Sequence, residues 1–166
     1  MGTDIFYDSY DKAIAVPCGA TAAYSANPIF GQFADIIEQC FYNVVVNSAN
    51  ISQGSASGSN SNVPGGTILS LSATPLTGYA FLRWSDGNTD AVRTIIATED
   101  LNLVAYFDTI KVDVIVDITG EGTVTGDGTY NYGAQVTLVA TAADGYEFVK
   151  WTMNEAEYTD ATLTFT

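Results

Sequence analysis

Two short stretches of this sequence are near copies of one another: Gly78-Tyr79-Ala80-Phe81-Leu82-Arg83-Trp84 and Gly145-Tyr146-Glu147-Phe148-Val149-Lys150-Trp151. They lie 67 residues apart, and residues 66–74 and 133–141, just before them, match at the same spacing. Similarity at a fixed spacing indicates a duplicated structural unit, and each copy then needs a core of its own. The repeated aromatic residues are the predicted repeat core: Tyr79, Phe81, Trp84, Tyr146, Phe148 and Trp151.

Further upstream the spacing between the copies becomes 68 residues, which indicates a one-residue length change in the loop between. At this spacing Gly54, Gly58, Val44 and Val46 correspond to Gly122, Gly126, Val112 and Val114. Apolar residues alternate with polar ones along most of residues 43–166, and Gly, Asn, Asp and Pro separate the alternating segments. This pattern predicts short strands joined by turns, with no helix after residue 42.

The boundaries that follow are residues 43–109 for the first β-repeat and residues 110–166 for the second. Residues 101–107 alternate and close the first repeat, whereas their counterparts at the 67-residue spacing would be residues 168–174. The second repeat is therefore predicted to lack its final strand within this sequence. An open strand edge pairs readily with another chain. We expect the natural protein to continue past Thr166, and the alternative is a strand supplied by a neighbouring molecule.

Residues 1–42 differ in character from the repeats and form a predicted anchoring segment. Asn27-Pro28 is typical of a helix start, and apolar residues then recur at steps of three and four, which predicts one amphipathic helix over about 28–41. Its apolar face packs either on the first repeat or on a partner protein, and the sequence leaves both open. The predicted partner-anchoring residues are Phe30, Phe33, Ile36, Ile37 and Phe41.

Charge and composition exclude several classes of function. The net charge is −14 with five basic residues, so the surface repels phosphate backbones and anionic lipids, and we expect no nucleic-acid partner. No apolar run approaches the ~20 residues of a membrane span, so we expect no membrane insertion. The sequence has no histidine, which removes the commonest general base and most zinc sites. For Cys18 and Cys40 we expect two free, partly buried thiols, with a disulfide as the alternative.

One acidic turn resembles a calcium loop. Asp86-Gly87-Asn88-Thr89-Asp90 places oxygen ligands at its first, third and fifth positions. However, Ala91 stands where an EF-hand needs glycine, and Ala97 stands where it needs a bidentate glutamate. We therefore interpret the segment as a hairpin turn. We predict no catalytic residue, no metal site and no cofactor, and hence no enzyme.

The residues of both copies, and above all Gly145-Tyr146-x-Phe148-x-x-Trp151 following the alternating residues 136–141, resemble the divergent internalin-type B-repeat, also called the Listeria–Bacteroides repeat. The resemblance covers residues 43–166 and implies small β-grasp-like or hairpin-built modules. It also implies a stalk, spacer or adhesive role without common catalytic residues. Such repeats occur in bacterial surface proteins and in virion proteins of phages that infect gut bacteria.

The fold class expected is thus mainly β: tandem small repeat modules preceded by a segment with one short amphipathic helix. We expect a structural display protein on a phage virion, as a capsid decoration or head-fibre protein, bound to capsid or other virion proteins and forming a homo-oligomer. The start of the sequence lacks the features of a secretion signal, which favours a virion surface. The alternatives are a bacterial cell-surface adhesin or stalk that binds a host protein or glycan, and linkers of a secreted hydrolase.

Overall fold

The computed structural model of the protein describes residues 13–33 and 35–166. In these residues short strands make up several small sheets, and a single short helix lies near the N-terminus. The predicted fold class is confirmed: the chain is mainly β, with repeat modules that follow a segment containing one short helix.

The N-terminal segment forms a small unit of two parallel strands and a helix. Strand β1 (Ala13–Pro17) pairs with strand β2 (Asp35–Gln39), from Ala13 opposite Asp35 to Pro17 opposite Gln39. Helix α1 (Thr21–Ser25) lies between them along the chain. Because two parallel strands cannot be joined by a tight turn, the connection has to be long enough to cross back.

The amphipathic helix predicted over 28–41 is wrong. Asn27 does accept the backbone N–H groups of Ile29 and Phe30 through its side chain, at 2.9 and 3.3 Å. Only a few turns follow, and Asp35–Gln39 is a strand. Glycine at position 31 weakens a helix by about 1 kcal/mol, and the β-branched residues at 36 and 37 favour a strand. Pairing with the distant β1 decides the outcome.

The expectation of two free thiols is also wrong. Cys18 and Cys40 form a disulfide, with Cα atoms 4.6 Å apart and 22 residues of separation in sequence. Cys18 directly follows β1 and Cys40 directly follows β2. The parallel pairing therefore carries both cysteines to the same end of the two-stranded sheet, where they can bond. The disulfide closes this unit.

The first repeat, unit 1, is built from two facing sheets, and its strand β3 begins at Phe41, two residues before the predicted boundary. One sheet has four strands in the order β5-β3-β9-β7, and the other has three in the order β4-β6-β8. The strands are β3 (Phe41–Ser48), β4 (Gly54–Ser57), β5 (Asn60–Pro64), β6 (Ile68–Pro75), β7 (Tyr79–Trp84), β8 (Val92–Ile96) and β9 (Leu101–Thr109).

Strand β9 is the centre of unit 1. It runs parallel to β3, with Val44 opposite Leu101, and antiparallel to β7, with Trp84 opposite Ala105. Period-two alternation turns one face of each strand toward the opposite sheet. The buried core combines residues from both sheets: Val44, Val46, Leu71, Ala73, Trp84, Leu103, Ala105 and Phe107.

The second repeat, unit 2, has the same plan with fewer paired strands. Strands β11 (Gly122–Thr125), β13 (Val136–Ala142) and β16 (Thr162–Phe165) form a three-stranded sheet that matches β4-β6-β8. Strands β10 (Lys111–Val114) and β12 (Gly128–Asn131) match β3 and β5. A hairpin follows, made of β14 (Trp151–Met153) and β15 (Ala156–Tyr158).

The registers of the two units correct part of the predicted correspondence. Gly122 pairs with Ala142 as Gly54 pairs with Pro75, so the predicted spacings of 68 and 67 hold for these strands. For β3 and β10 the spacing is 70, because Lys111 faces Asn131 as Phe41 faces Pro64. The counterparts of Val44 and Val46 are therefore Val114 and Val116, which pack against the unit 2 core, whereas Val112 is exposed.

Consecutive parts of the chain are joined by single residues. Cys40 alone separates β2 from β3, and Ile110 alone separates β9 from β10. Both joints are fixed in the same manner: the carbonyl of Cys40 accepts the N–H of Gly65 at 2.8 Å, and that of Ile110 accepts the N–H of Tyr132 at 2.9 Å. A joint of one hydrogen-bonded residue restricts how far neighbouring parts can turn.

Candidate functional site

The two repeated tryptophans occupy equivalent positions in the two cores. The Trp84 side chain is fully buried, and that of Trp151 is 9% exposed. Each indole N–H donates to a backbone carbonyl, Trp84 to Asp90 at 2.9 Å and Trp151 to Asp160 at 3.0 Å. A buried indole needs such an acceptor. Here the hydrogen bond also holds the turn that contains the acceptor, so each tryptophan links the core of its unit to the turn that follows.

The other repeated aromatic residues are less buried than the tryptophans. Phe81 and Phe148 are half-buried and lie against their tryptophans, with ring centroids 5.5 and 5.3 Å apart. Tyr79 is half-buried at the start of β7. Tyr146 is 60% exposed, so the prediction that it belongs to the repeat core is wrong. Identical spacing gives two residues equivalent positions along the chain, but the burial of each depends on which other residues cover it.

The acidic turn at 86–90 connects two sheets. It leaves β7 in one sheet and enters β8 in the other, so the predicted hairpin is wrong for unit 1. Asp86 forms an ion pair with Arg93 at 2.7 Å and accepts the N–H of Asn88. The Arg93 hydrogen bond lowers the pKa of Asp86, while partial burial opposes it. Its carboxylate is thus engaged by protein groups.

The basic residue that precedes each tryptophan also contacts protein groups. Arg83 lies over the Tyr106 ring, with its guanidinium carbon 4.6 Å from the ring centroid. Lys150 forms an ion pair with Glu157 on the neighbouring hairpin strand. Both side chains lie along the surface of their own unit.

The predicted anchoring residues do not share one helix face: four lie in the N-terminal unit, and Phe41 begins β3 of unit 1. Phe30, Phe33 and Ile36 are half-buried, and the Phe30 ring is 5.3 Å from that of Tyr24. Ile37 is 53% exposed and Phe41 is 49% exposed. Phe41 borders a groove of about 450 Å³ between this unit and unit 1. Ile29, which the sequence analysis did not select, is as exposed as Ile37.

Glu38 fastens the helix of this unit to its sheet. Its carboxylate accepts the hydroxyl of Thr21 at 2.6 Å and the backbone N–H of the same residue at 3.0 Å. These bonds, with a further one from Gly19, lower the pKa of Glu38. In the described part of the chain, Cys18, Glu38 and Cys40 are the one group close enough to suggest metal ligands. The two sulfurs are bonded to each other, so a ligand set for a metal ion is not available there.

An open cleft marks unit 2, and we call it the unit 2 cleft. It has a volume of about 290 Å³ and is lined by residues 117–124, 140–142 and 146–151. Residues 146–150 form no strand, although their counterparts in unit 1 belong to β7. The exposed apolar side chains along it include Ile118 and Val149, the latter 69% exposed. Sequence alternation did not find this site, although the missing counterpart of 101–107 was a signal for it.

Among the described residues, 13–33 and 35–166, no helix is both long and apolar enough to cross a membrane. Comparison with known proteins returned no match among curated proteins and none among solved structures. A family model described as the divergent InlB B-repeat domain matches residues 43–111 and 112–166.

These two matches cover well over half of the sequence, and their common border falls within β10. They coincide with the two units that share a buried tryptophan, a three-stranded sheet and the same strand registers. The second match is the shorter, in agreement with the strand that unit 2 lacks in the described residues. The chain therefore belongs to the divergent InlB B-repeat domain family, with two copies of the repeat and the second shorter than the first.

Proposed function

We propose that this protein is a non-enzymatic display component of a phage virion, a capsid decoration or head-fibre protein. Its N-terminal unit attaches to capsid or other virion proteins, and its two repeats project outward. Membership of a repeat family of surface and structural type supports the general role. The specific assignment rests on the N-terminal unit, which differs in architecture from both repeats.

The observation that carries the proposal is a disulfide-closed unit that leaves large apolar side chains uncovered. Ile29 and Ile37 are each about half exposed in a unit whose described residues form two strands and one short helix, and Phe41, which begins the adjoining strand β3, is exposed to a similar extent. Large apolar side chains left exposed on so small a unit favour a protein contact. The Cys18–Cys40 bond constrains the unit, so less conformational entropy is lost when it binds.

The disulfide also supports a location outside a reducing cytosol. Such bonds persist on virion surfaces, on cell surfaces and in secreted proteins. The single-residue joints at Cys40 and Ile110 connect the anchor to unit 1 and unit 1 to unit 2, an arrangement suited to projection. A protein attached at one end commonly forms a homo-oligomer around its anchor, and we include this in the proposal.

The location is tested on particles and cells produced from the genome that encodes the chain. Virions purified by density gradient are analysed by mass spectrometry, and antibodies against residues 43–166 locate the repeats by immunogold microscopy. Label on capsids is the expected result. Label confined to bacterial envelopes would overturn the virion assignment in favour of the alternative, a cell-surface adhesin or stalk that binds a host protein or glycan.

The anchor is tested with a matched pair of variants. Ile37→Asp places a charge on the N-terminal unit, whereas Ile51→Asp places one on a more exposed apolar position in a turn of unit 1. Added to particles that lack the protein, the first variant should fail to co-sediment and the second should bind as the wild type does. Equal binding by both would show that the N-terminal unit is not the anchor.

A further inference from the structure

The Cys18–Cys40 disulfide closes a unit that buries little apolar surface of its own. In the described residues up to Cys40, Val16 is the one buried apolar side chain. The sheet that these residues form has two strands, β1 and β2, and an isolated two-stranded sheet is marginally stable in water. Units below about 40 residues usually need a disulfide, a metal or a partner to fold. The N-terminal unit therefore depends on this bond.

The two repeats do not share this dependence. Both cysteines of the sequence precede residue 41. In the described part of the chain, the buried core clusters of units 1 and 2 contain no residue before Val44. The N-terminal unit is joined to unit 1 through the backbone, because β3 follows Cys40 directly and the Cys40 carbonyl accepts the N–H of Gly65. Breaking the disulfide should thus act on the N-terminal unit and leave the repeats folded.

One sulfur of the bond is accessible from solvent. Cys18 is exposed, whereas Cys40 is half-buried. The next residue, Gly19, has a φ of +76°, and a Cβ atom built there would have no neighbour within 4 Å among the described residues. The space beside Cys18 is therefore open. Exposed disulfides are the labile ones in thiol–disulfide exchange.

We propose that Cys18–Cys40 is a thiol–disulfide exchange site that switches the N-terminal unit between a folded, oxidised form and an unfolded, reduced form. The reagent is a dithiol. Its thiolate attacks the exposed Sγ of Cys18, the S–S bond breaks, and Cys40 leaves as a thiolate that takes up a proton. The second thiol of the reagent then attacks the mixed disulfide and releases Cys18. The protein gains two electrons and two protons, and the dithiol becomes a disulfide.

Glu38 is placed to slow this exchange. One of its carboxylate oxygens and the two sulfurs all lie within 4.8 Å of one another. The hydroxyl and the N–H of Thr21 donate to this carboxylate and hold it in place, and the same bonds lower its pKa, so it is charged at neutral pH. Its negative charge repels both the incoming and the departing thiolate. Glu38 is thus a positioning residue that prolongs the oxidised form.

The consequence for attachment rests on the proposed function of the N-terminal unit as an anchor. Ile37 lies in β2 opposite Ala15 of β1, so its exposed position is defined only while the two strands are paired. Attachment then requires the oxidised form, and a dithiol releases the protein with its repeats still folded.

Hydrogen exchange of the full chain, with and without dithiothreitol, tests the switch. Protection of the amides in β1 and β2 should fall roughly a hundredfold or more on reduction, because a cross-link between residues 22 apart is lost. It should return when an oxidised dithiol is added. The indole N–H signals of Trp84 and Trp151 should not change. Unchanged protection of β1 and β2 after reduction would overturn the proposal.

The rate of reduction tests the role of Glu38. Glu38→Gln removes the charge and keeps an acceptor for Thr21, whereas Asp35→Asn removes the same charge at the far end of β2. The second-order rate constant for dithiothreitol should rise about three- to fivefold in the first variant and keep the wild-type value in the second. The difference should shrink at 1 M salt, where the Debye length is about 3 Å. A wild-type rate for Glu38→Gln would show that its charge does not control the exchange.

Co-sedimentation with particles that lack the protein separates the switch from the anchor. The oxidised protein should bind, and neither the reduced protein nor the double variant Cys18→Ser/Cys40→Ser should. If the reduced protein bound as well as the oxidised one while Ile37→Asp failed to bind, the anchor would be upheld and the switch overturned. If the oxidised protein failed to bind, the anchor would be contradicted, and hydrogen exchange would still decide the switch.

Discussion

Unit 1 and unit 2 carry the same tryptophan, the same indole hydrogen bond and the same three-stranded sheet, yet one is closed and the other is open. The difference is β9, which has no counterpart among the described residues of unit 2. With it, residues 79–84 are a strand and Trp84 has no exposed surface; without it, residues 146–150 are irregular and Trp151 retains some exposure. The comparison teaches that the repeated aromatic motif places a side chain, and a partner strand gives it a strand conformation.

Phe107 has no counterpart among the described residues of unit 2, so removing its ring should make unit 1 resemble unit 2. We expect Phe107→Ala to lower the free energy of unfolding of unit 1 by about 3–5 kcal/mol, because it leaves a cavity beside Phe81 and Gly54. Urea unfolding followed by the indole N–H signals in NMR spectra measures this, since each unit contains one tryptophan. The control is Tyr106→Phe, which keeps the ring under Arg83. Equal effects of the two substitutions would show that β9 does not complete the core.

An equivalent leucine in each unit measures how tightly the two cores are packed. Leu71 is fully buried in β6, and Leu138, its counterpart in β13, is slightly exposed. We expect Leu71→Ala to cost about 4 kcal/mol and Leu138→Ala about 2–3 kcal/mol, because the open unit can relax around the cavity. The same indole signals report each unit separately. A larger loss of stability for Leu138→Ala than for Leu71→Ala would show that the unit 2 core is packed at least as tightly as the unit 1 core, despite the cleft.

Substitutions at Gly58 and Gly126 test whether the two units share a backbone conformation as well as a core. Both have positive φ, +120° and +98°, and both lie against the central strand of the three-stranded sheet. At Gly126 a Cβ atom would lie 2.1 Å from the Thr137 carbonyl oxygen. We expect Gly126→Ala to cost roughly 1–3 kcal/mol more than Gly133→Ala, because the second position has positive φ but open space around it. Thermal unfolding of both variants, beside Gly58→Ala, measures the difference.

The repeats were predictable from sequence because their signals are local. A tryptophan at a fixed distance from an alternating strand needs only its own unit to become buried, and Trp84 and Trp151 are. Tyr146 shows where that reasoning ends. Its spacing from Trp151 equals that of Tyr79 from Trp84. The surroundings of Tyr79, however, depend on strand β9, which begins about twenty residues later in the chain.

The N-terminal unit was mispredicted because its structure depends on contacts that local patterns do not contain. The three- and four-residue spacing of Phe30, Phe33 and Ile37 is compatible with a helix, but β2 finds its partner in β1 and is held there by the disulfide. The spacing of 22 residues between the two cysteines gave no indication of whether their thiols would meet. The parallel pairing of residues 13–17 with 35–39 was the missing information.

The smallest expected effect is the difference in stabilisation between the ion pairs of the two units. Asp86 and Arg93 connect β7 to β8 in unit 1, with Arg93 mostly covered. Because the Arg93 hydrogen bond lowers the pKa of Asp86, the pair stabilises the folded state fully above the ordinary carboxyl pKa of 3.8. That stabilisation is lost as the pH falls through the lowered value. Since Asp86 is more than a third exposed, we expect less than about 1 kcal/mol.

The measurement is the free energy of unfolding of unit 1 between pH 7 and pH 2 for the wild type and Asp86→Asn. The two curves should differ at neutral pH and converge in acid, because protonation removes the same charge as the substitution. Lys150→Ala, which removes the more exposed ion pair with Glu157 in unit 2, should change stability by less than about 0.5 kcal/mol. If the unfolding free energies of the wild type and Asp86→Asn differed by the same amount down to pH 2, the Asp86 charge would not be what stabilises the contact between the two sheets of unit 1. The ion pair would then not distinguish unit 1 from unit 2.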